Sequence, residues 1–181
     1  MKARPLGNAQ LFMKIKIKNM LHLIVGNTGA GKTTYANLLR KEVKGIVFSI
    51  DAWNKTLFLQ DKKATDGLNW FLERIERAES LMESLILQLK DIEVPVVLDI
   101  GLSKFLHREK FRIFAKENYL EIKLHYLNVP KEVRKERVLK RNTEKGTTFE
   151  FEVSDENFEF METWFEAPTQ KELEQSIIIT Y

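Results

Sequence analysis

Gly26-Asn27-Thr28-Gly29-Ala30-Gly31-Lys32-Thr33 decides the fold. The stretch has the complete spacing of a phosphate loop. It follows an apolar run, Met20–Val25, that reads as a strand, and it precedes a helix-forming stretch through Thr33–Lys41. Glycines at these positions let the backbone curl around an anion, so that N–H groups and the positive end of the helix dipole point at its oxygens. Lys32 supplies a mobile positive charge, and Thr33 a hydroxyl suited to ligating nucleotide-bound magnesium. The competing reading is a glycine-rich turn that merely permits close packing, and the strand–loop–helix context outweighs it. Thr34 is a secondary candidate, because its hydroxyl reaches either a phosphate or the preceding backbone. The expected nucleotide-binding set is Gly26, Asn27, Thr28, Gly29, Ala30, Gly31, Lys32, Thr33 and Thr34.

Outward from the loop, strands and helices alternate, the pattern of an α/β fold. Further strands are expected at Ile46–Ile50, Val94–Asp99, Leu120–Leu127 and Ser176–Thr180. Helices are expected at about Asp66–Lys90, Arg108–Lys116, Pro130–Arg141 and Asp155–Trp164, with Pro130 at a first helical position and Ser154 as a cap. The Asp66–Lys90 region carries an apolar stripe of Leu68, Phe71, Ile75, Leu81 and Leu85, and its length leads us to expect a break. Lys14–Asn19 alternates Lys with Ile like an edge strand, so residues 1–19 read as an extension and 20–181 as a single domain.

The 181 residues include no Cys, 8 Gly and 4 Pro, which excludes a disulfide scaffold and a collagen-like chain. No stretch approaches the roughly 18 apolar residues of a spanning helix, and the N-terminus lacks a secretory apolar core. A cytoplasmic protein without membrane association is the expectation. The net charge of +3 hides an asymmetry: residues 143–181 hold 10 acids and 2 bases, or −8, leaving +11 for residues 1–142. Within 101–142, 12 bases against 5 acids suit an anionic ligand such as a nucleotide or nucleic acid, with a solvated helical face as the alternative.

The loop alone does not separate kinases from other nucleotide-driven proteins. Asp51, immediately after the Ile46–Ile50 strand, is placed to orient and deprotonate an acceptor hydroxyl for in-line phosphoryl transfer. Asp99 ends the Val94–Leu98 run, as a Walker B acid does, and with Thr33 forms the expected magnesium pair, the ion arriving with nucleotide phosphates and waters. Arg137 and Arg141, four apart on one helix, present planar cations to a transferring phosphoryl group as the segment 137–155 closes like a lid. The expected catalytic residues are Lys32, Asp51, Arg137 and Arg141. Arg134 and Lys140 stand outside that set.

Other residues weigh less. Trp53 flanks Asp51 and is a candidate ligand contact, whereas Trp70 and Trp164 read as packing. His22, His107 and His125 are too scattered for a metal constellation. Phe149, Phe151, Phe158 and Phe160 lie in the acidic C-terminal region, as lid packing or as the wall of an acceptor pocket. Glu150, Glu152, Asp155 and Glu156 beside them would repel a phosphate backbone.

Taken together, Gly26–Thr33, Phe48-Ser49-Ile50-Asp51, Val96-Val97-Leu98-Asp99, Asn128-Val129-Pro130, Glu136-Arg137 with Arg141-Asn142, and Phe165-Glu166-Ala167-Pro168 resemble the small P-loop kinases near the zeta-toxin, chloramphenicol phosphotransferase and polynucleotide-kinase families. The resemblance covers about Leu21–Glu172. It implies a P-loop nucleoside-triphosphate hydrolase fold, a three-layer sandwich around a five-stranded parallel sheet, with an arginine-bearing lid, and with ATP and Mg2+ as cofactors. It also implies a base at Asp51. It does not imply one acceptor. Polynucleotide kinases carry an arginine shortly after the base aspartate where this chain has Asp51-Ala52-Trp53-Asn54, which disfavours nucleic-acid ends. The leading expectation is an ATP-dependent kinase for a hydroxyl-bearing small molecule or nucleotide-like acceptor. The alternatives are a polynucleotide 5′-hydroxyl kinase and a nucleotide-binding regulatory module.

Overall fold

The computed structural model describes residues 19–146 and 152–181. The extension and edge strand expected before Asn19 lie outside these residues, as do Phe149, Glu150 and Phe151.

Strand β1 (Met20–Val25) is buried at every position, as a central parallel strand covered on both faces must be. It lies between β3 (Val96–Asp99) and β4 (Glu121–Asn128), with β2 (Ile46–Ser49) and β5 (Ile177–Thr180) at the edges. The order is β2-β3-β1-β4-β5 and every pairing is parallel. Alternation along β1 sends Leu21, Leu23 and Val25 to one face. There they meet Ala78, Met82 and Ile86 of α3 (Leu68–Asp91) and Phe111 and Ala115 of α4 (Phe105–Glu117). Ile24 goes to the other face, against Ala36 and Leu39 of α1 (Lys32–Val43). Because α1 and α4 cover opposite faces, the connections leaving β1 and β3 diverge and open a crevice at their carboxyl ends, where open α/β sheets bind ligands. The expected three-layer P-loop architecture is present.

Three local expectations are corrected. Helix α3 is continuous, and its buried face runs through Ile75, Ala78, Met82, Ile86 and Leu89, spaced three or four apart. Leu81 is half exposed, because one residue before Met82 lies about 100° around the helix. Second, Asp51 does not directly follow the expected strand, which ends at Ser49 instead of Ile50. It stands in the first turn of a helix absent from the expectations, α2 (Ile50–Leu57), whose N-cap Ser49 accepts from the Ala52 N–H. Third, Pro130 is the N-cap of α5 (Lys131–Glu144) rather than its first residue, and Arg134 N–H donates to its carbonyl.

The charge asymmetry resolves as helix pairing. Helix α6 (Asp155–Trp164) lays an acidic stripe on basic α5: Lys131 Nζ is 2.6 Å from Glu159, Lys135 Nζ is 3.5 Å from Asp155, and Arg134 grips Glu162. Val138, Val153 and Phe158 form a small core between them. Phe158 is thus packing, while Phe160 is exposed and stacked on Trp164. Elsewhere Arg108, fully buried, makes a two-pronged pair with Glu172, at 2.7 and 3.2 Å, and donates to the carbonyls of Leu102 and Glu166. Glu172 also closes a capping box with Thr169 at α7 (Gln170–Leu173), so this pair fastens the chain after α6 to α4. Most of the basic excess over 101–142 is therefore held by acids of the same chain and does not form an open cationic surface.

Candidate active site

The loop between β1 and α1 is shaped by two residues in the left-handed region. Gly29 has φ +81°, and a Cβ there would come within 2.5 Å of the Arg134 carbonyl oxygen; Gly31, at φ +92°, caps α1. No side chain fits at the first and none is relaxed at the second. Helix α5 thus packs directly on the loop. The Ala30 N–H donates to the Asn27 carbonyl at 3.1 Å and Lys32 Nζ reaches the same oxygen at 3.4 Å. Thr34 is exposed on α1.

The strand register brings the acids in. Ser49 pairs with Asp99 across β2 and β3, so Asp51 starts α2 beside the strand end where Asp99 is buried. Burial raises the Asp99 pKa, and the neighbouring Thr33 hydroxyl and the Lys32 charge only partly oppose this. Burial likewise pushes the Lys32 ammonium below its usual value, against the pull of Asp99 and Asp51, while the Arg141 and Arg134 cations push it further down. Arg141 is also lowered by burial, opposed by Asp51. Lys32, Asp51, Asp99 and Arg141 therefore share one electrostatic neighbourhood.

Arg137 Nη1 reaches the Ala30 carbonyl at 3.4 Å, and its guanidinium lies 4.6 Å from the centre of the Tyr181 ring. Arg137 and Arg141 both stand on the side of α5 that meets the loop. The Nε of Arg141 is buried with no hydrogen-bond partner. A buried cationic donor without a partner is rare and costly, and an incoming anion would satisfy it. Together with the glycine cradle, that donor makes the site a fit for a polyphosphate.

Sequence reasoning missed Arg134 and Glu162. Arg134 Nε donates to Val129 O at 2.9 Å, Nη1 to Thr28 O at 3.2 Å, and Nη1 and Nη2 donate to the two Glu162 oxygens at 2.5 and 2.8 Å. Glu162 in turn accepts from the Asn27 side chain at 2.6 Å. The signal available was spacing: residues 134, 137 and 141 share one helical face.

Trp53 meets the Phe48 ring at a tilt, with centroids 5.5 Å apart, and packs against the main core. With Ala52, Thr56, Leu57 and Leu81 it lines a pocket of about 380 Å³. The four pocket residues of α2 centre about 170° around the helix from Asp51, so this pocket faces away from the site. His107 bonds Glu79 at 2.7 Å inside the α3–α4 contact. Among the described residues no group of three or more His, Cys, Asp or Glu is arranged to hold a metal. No helix among them is long and apolar enough to cross a membrane.

Residues 21–168 match the model of a family described as AAA domain. The chain is similar in structure to Kti12 of Chaetomium thermophilum in complex with ADP-AlF3, at 14% identity and TM-score 0.68 over 89% of each chain. It is also similar to a gluconokinase from Sinorhizobium meliloti, at 15% identity and TM-score 0.60 over 90% of this chain and 82% of that one. A third likeness is to the APS kinase of Mycobacterium tuberculosis in complex with AMPPNP and APS, at 14% identity and TM-score 0.61 over 90% and 88%. No curated protein matches the sequence. At these identities the likenesses establish the fold alone, an α/β P-loop fold with a five-stranded parallel sheet.

Proposed function

The chain belongs to the AAA domain family, and from that premise we propose that it is an ATP-dependent kinase that transfers the γ-phosphoryl group to a hydroxyl of a small-molecule or nucleotide-like acceptor. The observation that carries the reading is the convergence of Lys32, Asp51, Asp99 and Arg141 at the mouth of the crevice. A second carboxylate there, exposed and on a separate helix, is more than a loop that only bound nucleotide requires.

Backbone N–H groups of Gly26–Thr33 and the α1 terminus take the phosphates. Thr33 and Asp99 would hold a magnesium ion that arrives with the nucleotide, which when bound neutralises charge on the β- and γ-phosphates. Asp51 orients the acceptor hydroxyl and accepts its proton as the acceptor oxygen bonds to the γ-phosphorus and the bond to the β,γ-bridging oxygen breaks, releasing ADP. Lys32, Arg137 and Arg141 meet the negative charge on the transferring oxygens. Lys32 and Arg141 already stand there against the cost of burial, so an anion between them relieves an existing penalty.

The ion pairing of α5 with α6 occupies Lys131, Arg134 and Lys135, which would otherwise face a nucleic-acid backbone, and this favours a small acceptor over a polynucleotide 5′ end. The test is a screen with γ-labelled ATP against nucleosides, sugar nucleotides, aminoglycoside- and phenicol-like alcohols and oligonucleotide ends. Label entering a small hydroxyl compound supports the proposal. Label entering only oligonucleotide ends selects the polynucleotide reading, and nucleotide binding that changes affinity for a protein partner with no labelled acceptor selects the regulatory one.

A further inference from the structure

We propose that Glu162 is a positioning residue for the phosphate loop, acting from α6 through Asn27 and Arg134. This rests on the reading of Gly26–Thr33 as a nucleotide site. Asn27 is nearly buried and is the hub of the loop. Its carbonyl receives the Ala30 N–H and the Lys32 ammonium, and its side-chain Oδ1 receives the Thr28 N–H at 2.7 Å. The Thr28 bond needs the side-chain amide in one orientation. Glu162 supplies it: a carboxylate accepts and cannot donate, so at 2.6 Å it must face Nδ2, which leaves Oδ1 toward Thr28.

The same carboxylate fixes Arg134 through both oxygens, and Arg134 holds the other side of the same turn by donating to the Thr28 carbonyl. Thr28 is thus gripped at N–H and at C=O by two side chains, and both are oriented by one residue that lies 135 positions away from Asn27. Charge-assisted, two-pronged geometry is the arrangement that holds orientation most firmly. A loop held in its binding shape before nucleotide arrives loses less freedom on binding, so the effect falls on affinity more than on the chemical step.

Helices α5 and α6 also contain an internal control. Glu159 pairs with Lys131 and Lys135 across the same two helices, on the surface. Removing Glu159 loosens the helix pair without breaking a hydrogen bond to the loop. A merely structural role for Glu162 predicts that the two losses act alike.

The experiment is calorimetric titration of the full chain with Mg·AMPPNP, for wild type, Lys32→Ala, Glu162→Ala, Glu162→Gln and Glu159→Ala, with melting temperatures recorded in parallel. Glu162→Ala is expected to weaken binding about tenfold and Glu159→Ala to leave it within about twofold. Glu162→Gln, which keeps the side-chain volume and one acceptor for Asn27, recovers part of the loss and serves as the test variant if the alanine variant does not fold. In turnover, KM for ATP rises while kcat stays near wild type. Binding by both Glu162 variants equal to wild type, or equal losses for Glu159→Ala and Glu162→Ala, overturns the proposal. Wild type and Lys32→Ala binding alike would instead remove the nucleotide reading itself, and this proposal with it.

Discussion

Thr33, in the first turn of α1, stands beside the Asp99 carboxylate at the end of β3, and its hydroxyl favours the charged form of that acid. The two are the proposed magnesium pair, and burial outweighs the hydroxyl, holding the Asp99 pKa above its usual value. An acid whose native pKa is raised stabilises the fold below its unfolded pKa, and that contribution is lost as pH rises through the native value.

Asp99→Asn removes that loss. The variant is expected to melt higher than wild type at neutral pH and to converge with it in acid below the ordinary carboxylate range. Its magnesium-dependent transfer should fall at least tenfold, about 1.4 kcal/mol of transition-state stabilisation. Melting curves against pH and turnover against magnesium check both halves; a variant that melts lower at neutral pH contradicts the burial argument.

Beneath α1, His22 Nδ1 lies 2.9 Å from His125 Nε2, and His125 Nδ1 lies 2.8 Å from the Tyr35 hydroxyl. Burial, aided by the Lys123 charge, pulls His22 down to about 4; burial, His22 and Lys123 pull His125 down to about 3. The unfolded chain takes up these protons near the ordinary value while the native one resists, so stability is present above that value and lost as pH falls toward 4. Between pH 7 and 5 the loss is about 2–4 kcal/mol for the coupled pair. Urea unfolding of wild type and His125→Gln at both pH values checks it: the variant should show a flatter dependence, and equal slopes contradict the assignment.

Arg108 and Glu172 predict a stability asymmetry. Glu172→Ala leaves a fully buried guanidinium without its partner and should cost about 3–5 kcal/mol, whereas replacing both, as Arg108→Met with Glu172→Leu, should cost much less. Urea midpoints decide; a double variant as damaged as the single one contradicts the desolvation argument.

Much of the site is contiguous in sequence and so was legible. The loop residues occupy one run, and Asp99 ends an unbroken apolar strand. The sheet followed from the alternation of short apolar runs with helical periods. Helix α2 was hidden because its cap, Ser49, is the last residue of a strand and Ile50 extends the apolar run, so the chain turns helical with no polar break. The role of Arg134 was hidden because its partners Thr28 and Glu162 are distant in sequence, and no local pattern pairs them. The basic excess over 101–142 suggested an anionic ligand because composition counts charges without their partners. Lys131, Lys135 and Arg134 find theirs on α6.

The central claim, phosphoryl transfer with Asp51 as base, is tested most directly by Asp51→Asn. ATP affinity of the purified variant would be measured beside its rate of γ-label transfer to the acceptor identified by screening. The account predicts ATP affinity within about twofold of wild type, because the loop and its cations are intact, and transfer reduced by about 10²–10⁴-fold, the range of a lost general base. Transfer by Asp51→Asn at the wild-type rate would contradict it.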